Sequence, residues 1–209
     1  MSESLDFVHR YLPAPAEAPA DRRVLLLLHG TGGDENDLLP LGAELDPHAA
    51  LLSPRGKIDE HGQLRFFRRL AEGVFDEVDV VRRAHELADF IVAAGSEYGF
   101  TPEHLTAVGY SNGANVAAAI LLLRPKVLRS AILLRAMVPL TAPAVPNLHG
   151  SRVLIQVGER DQIVPPERGR ELSTLLNAGG AEVTLVAQPT GHGLLPADVA
   201  SAREWLNQH

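Results

Sequence analysis

Short runs of apolar residues recur along the chain and alternate with longer stretches in which apolar residues return every three or four positions. Continuous apolar runs are typical of strands in a parallel sheet that is covered on both faces, and the periodic stretches are typical of amphipathic helices. The runs predict strands at 24–28, 49–53, 105–108, 127–134, 152–157 and 181–186, with a weaker edge strand at 7–12. The periodic stretches predict helices at 35–45, 79–98, 114–123, 167–177 and 197–207. Strands that alternate with helices in this way predict an α/β fold with a mostly parallel sheet.

The length, charge and cysteine content of the chain narrow its class. Its 209 residues suffice for one α/β domain with a sizeable core, so we expect a single domain over residues 1–209. The net charge is −7 and the basic residues are scattered, which argues against a nucleic-acid partner. Cysteine is absent, which excludes disulfides, thiolate metal sites and a cysteine nucleophile. Residues 1–10 are polar and no apolar run is long enough to span a bilayer, so we expect a cytoplasmic protein without stable membrane association.

The pentapeptide Gly109-Tyr110-Ser111-Asn112-Gly113 matches G-x-S-x-G, the pattern of a nucleophile elbow. It stands between a predicted strand and a predicted helix, which is the context that the elbow requires. A serine on so tight a turn is strained, and the flanking glycines carry no Cβ to collide with the strand and the helix. We therefore interpret Ser111 as a nucleophile and the N–H of Asn112, at a helix N-terminus, as an oxyanion donor. The alternative is a glycine-flanked turn that happens to hold a serine.

A glycine-rich segment, His29-Gly30-Thr31-Gly32-Gly33, follows the predicted strand 24–28. Its spacing matches neither G-x-G-x-x-G nor a lysine-bearing phosphate loop, whereas the oxyanion loop of an α/β hydrolase has an HG-type turn of this kind. The N–H of Thr31 is therefore the candidate second oxyanion donor. We interpret His29 as a structural hydrogen bonder that shapes the loop, and not as a catalytic base, because the base of this fold comes late in the chain.

Two loops late in the chain carry the candidate acid and base. The first holds Asp161, with Glu159 as a competitor; Asp161 is favoured because a Val-Pro pair ends the loop and fixes a short carboxylate within reach of an imidazole. The second holds His192 between two glycines, after the last predicted strand and before the final helix. The order Ser111, Asp161, His192 is that of the α/β-hydrolase fold, in which histidine takes the serine proton and the acid orients the imidazole. This chemistry needs no metal and no cofactor, and the other histidines show no metal-ligand spacing.

The long connection at 55–73 carries candidates for substrate binding, because long connections in compact domains are often functional. Phe66 and Phe67 are candidates for an apolar wall, and Arg68 or Arg69 for contact with an anionic group of a substrate. The phenylalanines are equally well explained as core residues. The arginines are equally well explained by ion pairs with nearby acids, namely Glu72, Asp76 and Glu77.

The apolar segment after the predicted strand 127–134 supplies two further candidates. Met137 and Val138 are candidates for the wall of an acyl pocket, since a flexible thioether tolerates varied shapes. Burial in the core is the alternative for both.

Taken together, these motifs resemble the phospholipase/carboxylesterase family of α/β hydrolases, most closely the bacterial branch that includes the hydroquinone-stress hydrolases. The resemblance covers the chain from about residue 7 to 206 and is carried by the segments 25–38, 65–68, 109–115, 158–165 and 191–193. It implies an α/β-hydrolase fold with a mostly parallel central sheet, helices on both faces and no large cap domain. It also implies activity on short to medium acyl esters and a possible homodimer.

The family's site residues match this chain position by position. Its nucleophile, acid and base match Ser111, Asp161 and His192, and its oxyanion donors match Thr31 and Asn112. The thioesterase relatives usually carry glutamine after the serine, where this chain has Asn112, which weakens the case for lipidated-protein substrates. The sequence therefore predicts a serine carboxylesterase acting on a small-molecule ester. The alternatives are a thioesterase or lysophospholipase of the same family and a non-catalytic hydrolase-fold protein that binds a ligand.

Overall fold

The computed structural model describes residues 5–18, 22–71, 73–141 and 144–208. Strands and helices alternate along these residues as the apolar pattern predicts. The strands are β1 (His9–Leu12), β2 (Val24–Leu28), β3 (Ala50–Pro54), β4 (Ile58–Glu60), β5 (Gln63–Arg65), β6 (Arg69–Ala71), β7 (Val74–Phe75), β8 (Leu105–Tyr110), β9 (Ser130–Leu134), β10 (Arg152–Gly158) and β11 (Glu182–Gln188). The helices are α1 (Leu39–Leu45), α2 (Glu77–Tyr98), α3 (Asn112–Leu123), α4 (Pro166–Ala178) and α5 (Pro196–Asn207).

One seven-stranded sheet forms the centre of the molecule, in the order β1-β3-β2-β8-β9-β10-β11. Its neighbours pair in parallel, except that β1 runs antiparallel to β3 at one edge. The predicted mostly parallel sheet and its weak first edge strand are thereby confirmed. Strands β4 with β5 and β6 with β7 form two small antiparallel hairpins outside this sheet.

The two faces of the sheet pack on different helices. Leu26 and Leu28 of β2 belong to a core cluster that includes buried residues of α2, α3 and α4. Leu25 and Leu27 belong to a cluster on the other face that includes buried residues of α1 and α5. Because successive side chains of a strand point to opposite faces, an unbroken leucine run supplies both layers. Helices cover both faces, as predicted.

One helix begins later than its sequence pattern predicts. The pattern predicts a helix over 35–45, but α1 spans only Leu39–Leu45. Pro40 occupies the second position of this helix, and a proline is tolerated only in the first turn because it lacks an N–H and clashes with the preceding turn. Asp34 accepts the N–H of Asn36 instead, which closes a local turn before the helix.

The carboxyl ends of the parallel strands meet at one edge of the sheet, where the predicted site residues lie. Within the described part of the chain, only the two hairpins add to this edge, and no large cap domain is present. The sequence predicts the hairpin region merely as a long connection, because strands of two or three residues carry too little periodicity to be recognised. No helix in the described ranges combines the length and apolarity that crossing a membrane requires.

Candidate active site

Ser111 lies on a strained turn between β8 and α3. Its φ is 52° and its ψ is −112°, a region that residues with a Cβ rarely adopt. Both flanking positions require glycine, because neighbouring backbone atoms leave no room for a Cβ. A Cβ on Gly109 would lie 2.6 Å from the Cα of Ala114, and one on Gly113 would collide with the carbonyl oxygen of Leu28. The turn therefore has the geometry that the pentapeptide predicts.

Hydrogen bonds connect the three residues predicted as nucleophile, base and acid. His192 Nε2 lies 3.0 Å from Ser111 Oγ, and His192 Nδ1 lies 2.8 Å from Asp161 Oδ2. A carboxylate only accepts, so Nδ1 carries the proton and Nε2 is left free to accept the hydroxyl hydrogen of Ser111. The arrangement can therefore remove a proton from the serine.

Asp161 is held by its own loop. It is buried, and its Oδ1 accepts the N–H groups of Ile163 and Val164, both at 2.9 Å. These bonds leave Oδ2 for the imidazole. Glu159, the competing acid, is exposed. The short carboxylate is thus fixed by the end of the loop, as the sequence predicts.

A buried arginine braces the loop that carries His192. Arg135 follows β9 directly and forms a two-point ion pair with Asp198 of α5, at 2.8 and 2.9 Å. The same guanidinium donates to the carbonyl oxygens of Gly191 at 3.3 Å and Gly193 at 3.0 Å, one on each side of His192. This role of Arg135 was not predicted from the sequence. The available signal was a single charge in an apolar segment next to a buried strand, since a buried charge needs a partner.

The two predicted oxyanion donors lie beside the serine. In the ranges that the structure describes, no intramolecular acceptor is found for the N–H of Thr31 or of Asn112. The N–H of Asn112 belongs to the first residue of α3, where donors have no partner within the helix and the helix dipole favours negative charge. Both residues line the cavity that contains Ser111. Two free donors at this place can stabilise negative charge on a bound carbonyl oxygen.

His29 supports the glycine-rich loop at 29–33 from inside the protein. Its ring is buried; Nδ1 lies 2.7 Å from the carbonyl oxygen of Gly30, and Nε2 accepts the N–H of Gly56 at 2.9 Å. Burial lowers the pKa of His29, against smaller opposing effects of the Gly30 carbonyl and nearby acids, so the neutral ring is favoured. These contacts agree with the structural interpretation of this histidine.

The first hairpin and the residue after it contact both candidate oxyanion residues. Leu64 accepts the N–H of Gly32 at 2.9 Å, and Arg65 Nη1 donates to Thr31 Oγ1 at 2.5 Å. The N–H of Phe66 donates to Asn112 Oδ1 at 2.7 Å. Three consecutive residues of the long connection at 55–73 thereby contact both sides of the candidate oxyanion hole.

A cavity of about 280 Å³ opens beside Ser111. Met137 lines it, as predicted, whereas Val138 packs against the core. Phe66 and Phe67 do not line it: both are buried in the core, where Phe66 contacts the His29 ring and Phe67 contacts Phe75. Both phenylalanines of this long connection point into the core, because large apolar side chains are most stable when buried. The remaining lining residues are Thr31, Arg65, Arg69, Gly73, Phe75, Tyr110, Ser111, Asn112, Asn115, Ile163, Val164 and His192.

The two predicted substrate-binding arginines have different surroundings. Arg68 is not on the cavity: its side chain is 57% exposed, and its N–H donates to buried Asp79 at 2.9 Å. Arg69 is on the cavity and donates to Glu60 Oε2 at 2.9 Å. Neither side chain pairs with Asp76 or Glu77, and the third predicted partner, Glu72, lies outside the described residues. The placement thus corrects the prediction for Arg68 and adds Arg65, which the sequence analysis did not propose.

No group of three or more histidines, aspartates or glutamates among the described residues is arranged to hold a metal ion.

Known proteins resemble this chain in both sequence and structure. No protein-family model matches the chain. The chain is 46% identical to the Bacillus subtilis protein named "Putative hydrolase MhqD" over 185 residues, which cover 88% of this chain and 92% of that protein. Its structure superposes on a Bacillus cereus carboxylesterase with a TM-score of 0.93 and 42% identity, over 97% of this chain and 94% of the other. It superposes on a carboxylesterase from Mesorhizobium loti with a TM-score of 0.85 and 33% identity, over 94% and 99% of the two chains.

Proposed function

Since this chain belongs to the phospholipase/carboxylesterase family of α/β hydrolases and is a carboxylic ester hydrolase, we propose that it cleaves small to medium esters through an acyl-enzyme on Ser111. The observation that carries this proposal is the continuous set of hydrogen bonds from Asp161 through His192 to Ser111, at 2.8 and 3.0 Å. Free serine is a poor nucleophile, and an adjacent oriented base is what activates it.

In the first half-reaction, His192 Nε2 takes the proton of Ser111 as Oγ attacks the carbonyl carbon of the ester. Asp161 stabilises the imidazolium and keeps it oriented. The negative charge that forms on the carbonyl oxygen is stabilised by the N–H groups of Thr31 and Asn112; one such donor accounts for roughly 10²- to 10³-fold in rate. The tetrahedral intermediate then collapses, the alcohol leaves, and His192 returns the proton to its oxygen.

In the second half-reaction, a water molecule attacks the acyl group while His192 Nε2 accepts its proton. The carboxylic acid leaves and Ser111 recovers its hydrogen. The cavity of about 280 Å³ lies at the lower end of the range for ligand pockets, roughly 300 to 1,000 Å³, which suits a small to medium acyl group with Met137 at the wall.

A rate series on p-nitrophenyl esters, from acetate to decanoate, tests the proposal. We expect kcat/KM to fall as the acyl chain lengthens and Ser111→Ala to abolish turnover of every ester. Ser96→Ala is the matched control, because Ser96 is exposed on α2. Unchanged hydrolysis in Ser111→Ala would contradict the mechanism.

The same assay separates the alternative functions. Faster turnover of acyl thioesters than of matched esters indicates a thioesterase, and a rate increase on micellar over monomeric substrate indicates a lysophospholipase. Saturable binding of esters without product indicates a ligand-binding protein. The homodimer that the family resemblance implies stays a prediction, which light scattering on the purified protein tests.

A further inference from the structure

The charges around the proposed active-site cavity are unbalanced. Two guanidinium groups line the cavity, those of Arg65 and Arg69, and no carboxylate of the described residues lines it. Of the acids that the structure describes, Glu60 is the nearest to both: its Oε2 lies 2.9 Å from Arg69 Nε, and its Oε1 lies 3.8 Å from Arg65 Nε. Among these described groups, one carboxylate faces two guanidinium groups, so their summed charge is positive.

Arg65 is held in an unusual environment for a permanent charge. Arg65 is only 3% exposed, and this burial lowers the pKa of its guanidinium. The nearby carboxylate of Glu60 raises that pKa, and the charge of Arg69 lowers it further. Burying a charge is costly unless it is paired and hydrogen-bonded. Its Nε donates to the carbonyl oxygen of Phe67 at 3.2 Å and its Nη1 to Thr31, but no hydrogen bond within the described residues satisfies Nη2.

The carbonyl oxygen of an ester accepts from the two backbone N–H groups already described. Arg65 lines the cavity, and its Nη2 is therefore a surplus donor that can bind a further acceptor on the bound molecule.

We propose that the substrate is a short ester that also carries an ionised carboxylate, which Arg65 and Arg69 bind. This inference rests on the proposed ester hydrolysis at Ser111. Arg65 contacts the side chain of Thr31, whose N–H is a proposed oxyanion donor, so the carboxylate lies only a few bonds from the scissile carbonyl. A planar guanidinium matches a carboxylate with two parallel hydrogen bonds, which gives both affinity and orientation.

A purely structural role for Arg65 is the competing explanation, because its bond to Thr31 also supports the oxyanion loop. Arg69 separates the two explanations. No hydrogen bond connects it to Thr31 or Asn112 in the described residues, and its side chain is 37% exposed beside the cavity. If an Arg69 variant loses the preference for carboxylate esters, the cause is therefore the lost contact with the substrate charge and not a disturbed oxyanion loop.

The test compares esters that differ only in charge. In the first pair, monoethyl succinate carries a carboxylate on its acyl side, and ethyl succinamate is its neutral amide. In the second pair, 3-carboxyphenyl acetate carries the carboxylate on its alcohol side, and 3-carbamoylphenyl acetate is its neutral amide. For at least one pair, we expect the wild type to prefer the carboxylate by about tenfold or more in kcat/KM, as for one charge-assisted hydrogen bond. Arg69→Gln reduces this preference about three- to tenfold, and added salt reduces it in the wild type.

Arg65→Gln abolishes the preference and also slows the neutral esters, since Thr31 loses its support. Arg68→Gln is the matched control from the same segment, because the Arg68 side chain lies off the cavity. We expect it to keep the wild-type preference. No preference for either carboxylate ester in the wild type, or an equal loss in Arg68→Gln and Arg69→Gln, would overturn the proposal.

A binding measurement keeps this inference separate from the proposed function. Calorimetry with Ser111→Ala protein compares monoethyl succinate with ethyl succinamate, and 3-carboxyphenyl acetate with its amide, without turnover. Tighter binding of a carboxylate that weakens in the Ser111→Ala/Arg69→Gln protein supports the anion site even if no ester is hydrolysed. Equal binding of charged and neutral molecules rejects it even if hydrolysis at Ser111 is demonstrated.

Discussion

The two sides of the active-site cavity are built differently. On one side, Asp161 and His192 stand on loops that directly follow β10 and β11, and the fully buried pair of Arg135 and Asp198 braces the loop of His192. On the other side, the hairpins β4–β5 and β6–β7 lie outside the main sheet and expose apolar and charged residues, including Leu70 at 72%. The proposed base is thus anchored to the core, while the residues that would select substrate lie on a surface segment.

This difference indicates which properties of the enzyme can change independently. Proton transfer depends on distances near 3 Å, which a buried brace can maintain. Substrate choice depends on side chains that project from short hairpins, and connecting segments tolerate change better than the elements that they connect. We expect substitutions on the side of Asp161 and His192 to reduce turnover of all esters. On the hairpin side, we expect substitutions that leave the bond to Thr31 intact, such as those of Arg69, to change the ranking among esters.

The largest effect is expected at the acid. In Asp161→Asn, the amide oxygen can still accept the N–H groups of Ile163 and Val164, which turns the NH₂ group toward His192 Nδ1 and favours the wrong tautomer. We expect kcat to fall roughly 10⁴-fold, the loss seen in serine proteases with this change. Steady-state kinetics on p-nitrophenyl acetate measures it, with Glu159→Gln as an exposed control. A similar loss in both variants would refute the assignment.

The next largest effect is expected at the buried ion pair of Arg135 and Asp198. Arg135→Met leaves the buried carboxylate of Asp198 unpaired and removes the donors to Gly191 and Gly193. We expect the free energy of unfolding to fall by about 3–5 kcal/mol, as for a broken buried ion pair. Urea denaturation measures this, and the double variant Arg135→Met/Asp198→Leu should recover part of the loss because no charge is left buried. A loss below about 1 kcal/mol, the range of exposed pairs, would contradict the role of a brace.

A smaller effect is expected where the hairpin meets the oxyanion loop. Thr31→Val keeps the backbone N–H but removes the oxygen that accepts from Arg65 Nη1. We expect kcat/KM for neutral esters to fall about tenfold, since one charged hydrogen bond supports the loop. Thr174→Val, on the exposed face of α4, is the control. If Thr31→Val leaves the rate unchanged, the hairpin does not position this donor.

The smallest effect is the pH dependence of stability due to His29. Burial lowers its pKa in the folded protein, so the unfolded chain binds this proton at higher pH. The stabilisation is complete above the ordinary histidine pKa of about 6.5 and is lost as the pH falls toward the lower folded value, by at most about 1.4 kcal/mol per pH unit. Denaturation of wild type and His29→Gln across this range measures the difference. Equal slopes for both proteins would contradict it.

The braced side could be predicted from the sequence because its signals are local. Ser111, Asp161 and His192 each follow an apolar strand, and the elbow glycines are fixed by close approach to neighbouring backbone. The order of the three along the chain then identifies the fold.

The hairpin side could not be predicted in the same way. Whether Phe66 or Arg65 faces the cavity depends on strands of two or three residues and on a bond from Phe66 to Asn112, which no periodicity reveals. The brace was missed for a related reason. Arg135 and Asp198 are far apart in sequence, and their pairing exists only once β9 and α5 pack together.

Covalent labelling identifies the nucleophile of this protein directly. Diethyl p-nitrophenyl phosphate transfers its phosphoryl group to an activated serine and releases p-nitrophenolate, and peptide mass spectrometry locates the label. We expect one diethyl phosphoryl group per chain, on Ser111, with no label in Ser111→Ala and slow labelling in His192→Ala. A label on another residue, or an unlabelled wild type that still hydrolyses esters, would contradict it.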